Sequence, residues 1–121
     1  MKENKLVDIS FEFAKEIIAL VKSLKEQRET VISNQIGRSG TSIGANINEA
    51  QYAQSKADFV SKLQIALNEA NETGFWLKLL YETGYIDKTT YESLDKKCAG
   101  IRVLLIASCR TAKNNMSKDI L

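Results

Sequence analysis

The sequence predicts an all-α protein, an antiparallel up-down-up-down four-helix bundle, and three observations predict it. The 121 residues contain no proline. Apolar residues recur at intervals of three and four, and no segment sustains the alternation of a strand. Polar, cap-forming stretches divide the chain into helices near residues 9–28, 33–52, 56–83 and 88–114. Four helices with short connections pack most simply with each antiparallel to the one before it. A chain of this length makes one domain, residues 1–121, with a single core.

The first helix is expected to begin near Asp8 or Ser10, either of which can accept from the free amides of a first turn. Ile9, Phe13, Ile17, Leu20 and Leu24 then form a core stripe, and the polar run Gln27–Thr30 ends it. Ser33 is placed to cap the second helix, on which the chain is centred. Wound at about 100° per residue, this helix separates into three sides. Ile32, Ile36, Ile43, Ile47 and Ala50 line one, and Gly37, Gly40 and Gly44 a second. Arg38, Ser39, Ser42, Asn46 and Glu49 occupy the third. An exposed helix has no reason to hold three glycines, each costing roughly 1 kcal/mol against alanine. Gly40 or Gly44 is therefore expected to meet another helix closely.

Ser55 caps the third helix, with Asp58 three residues on completing a capping box. Phe59, Leu63, Ala66, Ala70, Leu77 and Leu80 share its core face, and Gly84 stops it. Asp87 or Thr89 opens the fourth, where Thr89 and Glu92 have capping-box spacing. Leu94, Cys98, Ile101, Leu105 and Ala112 are its core stripe, and fraying is expected after Asn114. Ile65, Trp76 and Leu79 on the third helix, with Val103 and Ile106 on the fourth, exceed what one core needs. They are read as an oligomer interface.

Composition narrows the function. Catalysis has no support: there is no histidine, and neither cysteine has a neighbouring base. Glu49 and Glu72 are read as groups that hold helices together, and no cofactor or metal site is expected. Cys98 and Cys109 lie about 16 Å apart along one helix, too far to bridge; both are expected reduced, in a cytoplasmic protein. No apolar run approaches the roughly 20 residues of a membrane span. Arg38, Ser39, Ser42, Asn46 and Glu49, with Glu72 as natural partner, have two readings. One is a buried register-setting network within or between subunits, and the other is a ligand or nucleic-acid contact through Arg38.

The net charge of +2 is small, but its distribution is uneven. Lys96, Lys97, Arg102, Arg110, Lys113 and Lys118 fall in a stretch without an acid. They are the nucleic-acid candidates, against the alternative of a solvated face. Without interleaved aromatics, such contact would be to phosphates and salt-dependent.

The run QIGRSGTSIGANINEA, followed by ADFVSKLQIALNEANETGFWLKLL and ETGYID, resembles the four helix bundle proteins. These are also called the 23S rRNA-intervening sequence protein family. The opening SFEFAKEI looks like that family's first helix, so the likeness covers nearly the whole chain. Arg38-Ser39, Ser42-Ile43, Asn46-Ile47 and Glu49 carry the motif, with Phe59, Ile65-Ala66-Leu67 and Glu72 downstream. Ala50 stands where relatives usually have glycine, and Gly74 where an acid is common. The resemblance implies a left-handed bundle that assembles into a ring, typically a homopentamer. Some members are encoded within insertions of large-subunit rRNA genes. Related accessory proteins of diversity-generating retroelements bind nucleic acid and a reverse transcriptase. The implied partners are therefore further copies of the chain, and RNA or a nucleic-acid enzyme. A protein-only scaffold is the alternative.

Overall fold

The computed structural model describes residues 4–120, with side chains described through residue 117. It holds four helices: α1 (Lys5–Glu26), α2 (Val31–Ala50), α3 (Lys56–Glu82) and α4 (Lys88–Ile120). No strand occurs among the described residues.

The ends show which side chains set the boundaries. Helix α1 starts a turn earlier than expected, because Asn4 rather than Asp8 or Ser10 accepts from the amide of Val7, at 3.2 Å. The gained turn lets Leu6 and Val7 pack against the core. Ser10 instead lies buried inside the helix, donating to the Val7 carbonyl at 3.1 Å. At the other end Arg28 takes a left-handed φ of 64°. Its amide returns to Lys25 O at 3.0 Å and that of Glu29 to Leu24 O at 2.9 Å, the paired bonds of a Schellman stop.

Ser33 does not cap α2. The cap is the Glu29 carboxylate, buried to 6% exposure, which accepts from the amides of Ile32 and Ser33, the latter at 3.2 Å. An anion here satisfies orphan amides and faces the positive end of the helix dipole. Ser33 lies within α2 and donates its hydroxyl to Glu29 O at 2.9 Å.

Helix α3 opens as expected, Ser55 accepting from Asp58 N at 3.0 Å, although Asp58 reaches back to the amide of Gln54 and not to the cap itself. Gly84, at φ 83°, closes it with a second Schellman pair, Gly84 N to Tyr81 O at 3.1 Å and Tyr85 N to Leu80 O at 2.9 Å. Asp87 caps α4 by accepting from Thr90 N at 2.7 Å. That bond holds the Asp87 carboxyl below its ordinary range. Thr89 falls inside the first turn, and Glu92 pairs with Lys88 at 3.7 Å, so the Thr89–Glu92 box does not form. Helix α4 continues past the expected end near Asn114, to Ile120.

Each helix touches only its neighbours around a square: α1–α2, α2–α3, α3–α4 and, most loosely, α1–α4. No contact crosses a diagonal among the described residues. Phe13, Ile17 and Leu24 of α1 meet Ile36, Ile43 and Ile47 of α2 at the centre, closed by Leu63, Leu77, Leu80, Ile101 and Leu105. The glycine side of α2 faces α1, as expected. A Cβ on Gly40 would fall 2.8 and 2.9 Å from the branched carbons of Ile17. One on Gly44 would fall 3.2 Å from the carbonyl oxygen of Ser10.

Candidate functional site

The polar stripe of α2 lies along the seam with α3. The guanidinium of Arg38 forks between two carboxylates one turn apart, Glu69 at 2.8 Å and Glu72. Sequence reading anticipates Glu72 and misses Glu69, although the three-residue spacing of those acids on one face is visible. The Arg38 side chain is 49% exposed, so this is a surface pair contributing about 0–1 kcal/mol. Beneath it, the hydroxyls of Ser39 and Thr73 share a 2.9 Å hydrogen bond, both fully buried.

The rest of the expected network does not join in this chain. Ser42 donates to Arg38 O at 2.6 Å and Asn46 to Ser42 O at 2.9 Å, both within α2. Glu49 points outward and meets Lys62 at 3.3 Å, away from Glu72. One helical turn separates each of these groups from the next, and each finds a nearer partner than the neighbour in the stripe. Within one chain, the arrangement is therefore one exposed fork above one buried hydroxyl pair in place of a mutually bonded, buried network.

Apolar residues continue this seam outward along α3. Ile65, Glu69, Glu72 and Trp76 follow i, i+4, i+7, i+11 spacing and form a ridge with Leu79 and Phe75. Phe75, 60% exposed, escapes the sequence reading; it meets Trp76 edge-on with ring centroids 4.9 Å apart. Trp76 and Leu79 are half-buried, and the indole N–H of Trp76 is buried without an acceptor among the described residues. Val103 and Ile106 are exposed on α4 but do not extend this ridge. Ile106 borders the α3–α4 seam, and Val103 borders the seam of α1 with α4.

The α1–α4 seam is an open groove of about 930 Å³. Its floor includes Ile9, Phe13, Ile101 and Leu104, and its α1 wall carries Asp8, Glu12 and Glu16 at four-residue spacing. Sequence periodicity could not show it, because it arises from how far apart two helices stand.

The basic residues of α4 separate into two groups. Lys97 bridges Glu16 at 2.6 Å, and Arg102 lies half-buried over Gly74, whose missing Cβ would stand 2.8 Å from its Nη1. Lys96, Arg110 and Lys113 are exposed and have no ion pair among the described residues. Arg110 and Lys113 rim a cavity of about 300 Å³ with Gln64 and Asn114, over Leu67 and Cys109. Lys118 lies outside the residues whose side chains are described.

Both thiols are free and buried. Cys98 donates to Ala70 O at 3.3 Å, and burial pushes its thiol up to about 11. Burial also raises Cys109, against the charge of Lys113. A thiol in this state is a poor nucleophile at neutral pH. Among the described residues no group of histidine, cysteine or acid side chains could hold a metal ion. Nor is any helix there long and apolar enough to cross a membrane.

Fold and surfaces together define a four-helix bundle whose outward chemistry is an ion-pair fork, an apolar ridge, an open groove and a run of unpaired cations. The chain belongs to the 23S rRNA-intervening sequence protein family, whose sequence model matches residues 2–107. It is similar to a crystal structure from Bacteroides thetaiotaomicron, described as a protein of unknown function from the S23 ribosomal protein family. The two are 55% identical with a TM-score of 0.85, over 86% of this chain and 97% of that one. No curated protein matches it.

Proposed function

We propose that this chain is a non-catalytic, cytoplasmic, homo-oligomeric bundle that holds RNA by its phosphate backbone, as an accessory to the RNA or to an enzyme acting on it. The observation that carries the RNA reading is the set Lys96, Arg110 and Lys113, exposed along α4 without ion pairs among the described residues. Lys96 and Lys113 stand about 25 Å apart along the helix. Spaced cations without stacking aromatics suit phosphates and carry little sequence preference. The apolar ridge of α3 supports self-association, and the ring implied by the family likeness would repeat the cations once per copy. Repetition matters because three weak contacts per chain become useful only in series.

The protein-only scaffold has an observation in its favour as well. Lys97 and Arg102 are engaged within the bundle, which reduces the basic set expected from sequence. Filter retention of single-stranded RNA across a salt series separates the two readings. Log affinity should fall linearly with log salt, with a slope of about −0.7 per phosphate neutralised. Arg110→Glu with Lys113→Glu should reduce retention at least tenfold and flatten that slope. Absence of retention at low salt would leave the scaffold.

A further inference from the structure

The cavity at the α3–α4 seam combines three kinds of side chain. Its floor is apolar, made by Leu67 of α3 with Ile106 and the buried Cys109 of α4. Gln64 and Asn114 bring carboxamides that make no side-chain hydrogen bond among the described residues. Arg110 and Lys113 bring cations that have no ion pair there. The ammonium of Lys113 lies near enough to the floor to act on the Cys109 thiol. No acid lines the cavity. Glu69 and Glu72 of α3 are turned to Arg38 on the α2 side, and α4 has no acid between Asp95 and Asp119.

Simple ligands would leave part of this set unused. A bare phosphate needs the cations, but neither uncommitted carboxamides nor an Ile106 left 44% exposed beside them. A purely apolar ligand has no use for two cations. A nucleotide uses all three. The face of its base sheds water onto an apolar floor, and the donors and acceptors of its edge match a carboxamide, which offers both. Its phosphate takes charge-assisted bonds from arginine and lysine. At about 300 Å³ the cavity stands at the lower end of small-molecule sites. A base can enter it only when unstacked, as in the single strands and loops that proteins read in RNA.

We propose that this cavity seats one unstacked nucleotide of a single-stranded RNA, its base on Leu67 and Ile106 with the edge toward Gln64 and Asn114, and its phosphate between Arg110 and Lys113. This rests on the RNA reading above and deepens it, since a seated base makes affinity depend on the bases and on strandedness as well as on charge. The two readings differ in sign for the duplex. A surface that holds only phosphates favours the duplex, whose charge is denser, whereas a base seat favours the single strand.

The test measures binding by fluorescence anisotropy with three probes: a short oligoadenylate, the same strand with abasic sites, and duplex RNA. The wild type should hold oligoadenylate about tenfold more tightly than either of the others. Ile106→Lys separates the readings, because it adds a cation where the base would lie. It should weaken oligoadenylate about tenfold while the abasic strand binds as well or better. Gln64→Leu, which leaves the charge unchanged, should reduce the preference for oligoadenylate over the abasic strand. Both positions lie outside the buried core, and circular dichroism should show unchanged helix content. A wild type that binds no RNA at low salt would remove the RNA reading and this inference together. Binding that needs Arg110 and Lys113 but is equal for the abasic strand, or that Ile106→Lys strengthens for oligoadenylate, would leave the phosphate contact and overturn the seat. Adenosine monophosphate bound more tightly than the strand would give the cavity to a free nucleotide and overturn its placement on RNA. An oligoglutamate peptide bound as tightly as the strand would overturn it in favour of a protein partner.

Discussion

Replacing Gly40 with alanine adds one methyl group and pits two effects of known sign against each other. Alanine is the better helix former by about 1 kcal/mol, so α2 alone would gain that much. Against this, the new Cβ would lie 2.8 Å from Cγ1 and 2.9 Å from Cγ2 of Ile17. Those are the branch carbons of a residue held to one rotamer in a helix, and Ile17 is fully buried. They cannot swing aside, so α1 and α2 must separate by several tenths of an ångström. Over-packing of this kind costs about 1–3 kcal/mol. The net expectation is a loss of up to about 2 kcal/mol. For a domain of this size each kcal/mol lowers the melting point by roughly 3–5 °C. Urea denaturation followed by helical circular dichroism at fixed protein concentration measures it. The cycle with Ile17→Ala isolates the cause, because on that background Gly40→Ala should become stabilising by about 1 kcal/mol. A Gly40→Ala protein more stable than the wild type, or a cycle with no coupling, would show that the two helices do not meet where the structure puts them.

Two further predictions concern helix starts. Glu29→Ala removes the acceptor of the Ile32 and Ser33 amides and should cost about 1–2 kcal/mol in the same assay; an unchanged midpoint would mean that Thr30 or water caps α2 equally well. Asp87 accepts from Thr90 N, and that bond is the main cause holding its carboxyl below the ordinary value. It therefore binds protons less readily folded than unfolded, and its stabilisation is present above the unfolded value and lost as pH falls through the folded one. The stability advantage of wild type over Asp87→Ala should persist at neutral pH and disappear in acid; a difference that grows in acid would contradict the sign.

The helices themselves were legible because their signals are local. Period, absence of proline, Ser55 before Asp58 and Gly84 after Glu82 each act within a few residues, and the α2 glycines announced a close neighbour. Caps failed where a side chain outside the consensus was available: no ranking of preferred capping residues favours Glu29 over Ser33. The site was less legible for a different reason. Arg38 was visible, but the choice between Glu69, Glu72 and Glu49 depends on the register of α2 against α3. Lys97 and Arg102 looked like free cations because Glu16 and Gly74, their neighbours in space, are remote in sequence. The groove leaves no trace in any single helix.

The loose α1–α4 seam has a consequence for the order of folding. The other three seams join helices adjacent along the chain, so their contacts form after closure of short loops. Only α1 with α4 requires the two ends of the chain to meet. Local contacts form early and distant ones late, because the entropy of closing the longer loop must be met first. The pair α2–α3, with its Ser39–Thr73 bond and the buried Ile43, Ile47 and Leu77, is then the natural nucleus, and α1 settles against α4 at the end. By the same balance of few contacts against a long closure, that seam is where the native bundle opens with least free energy.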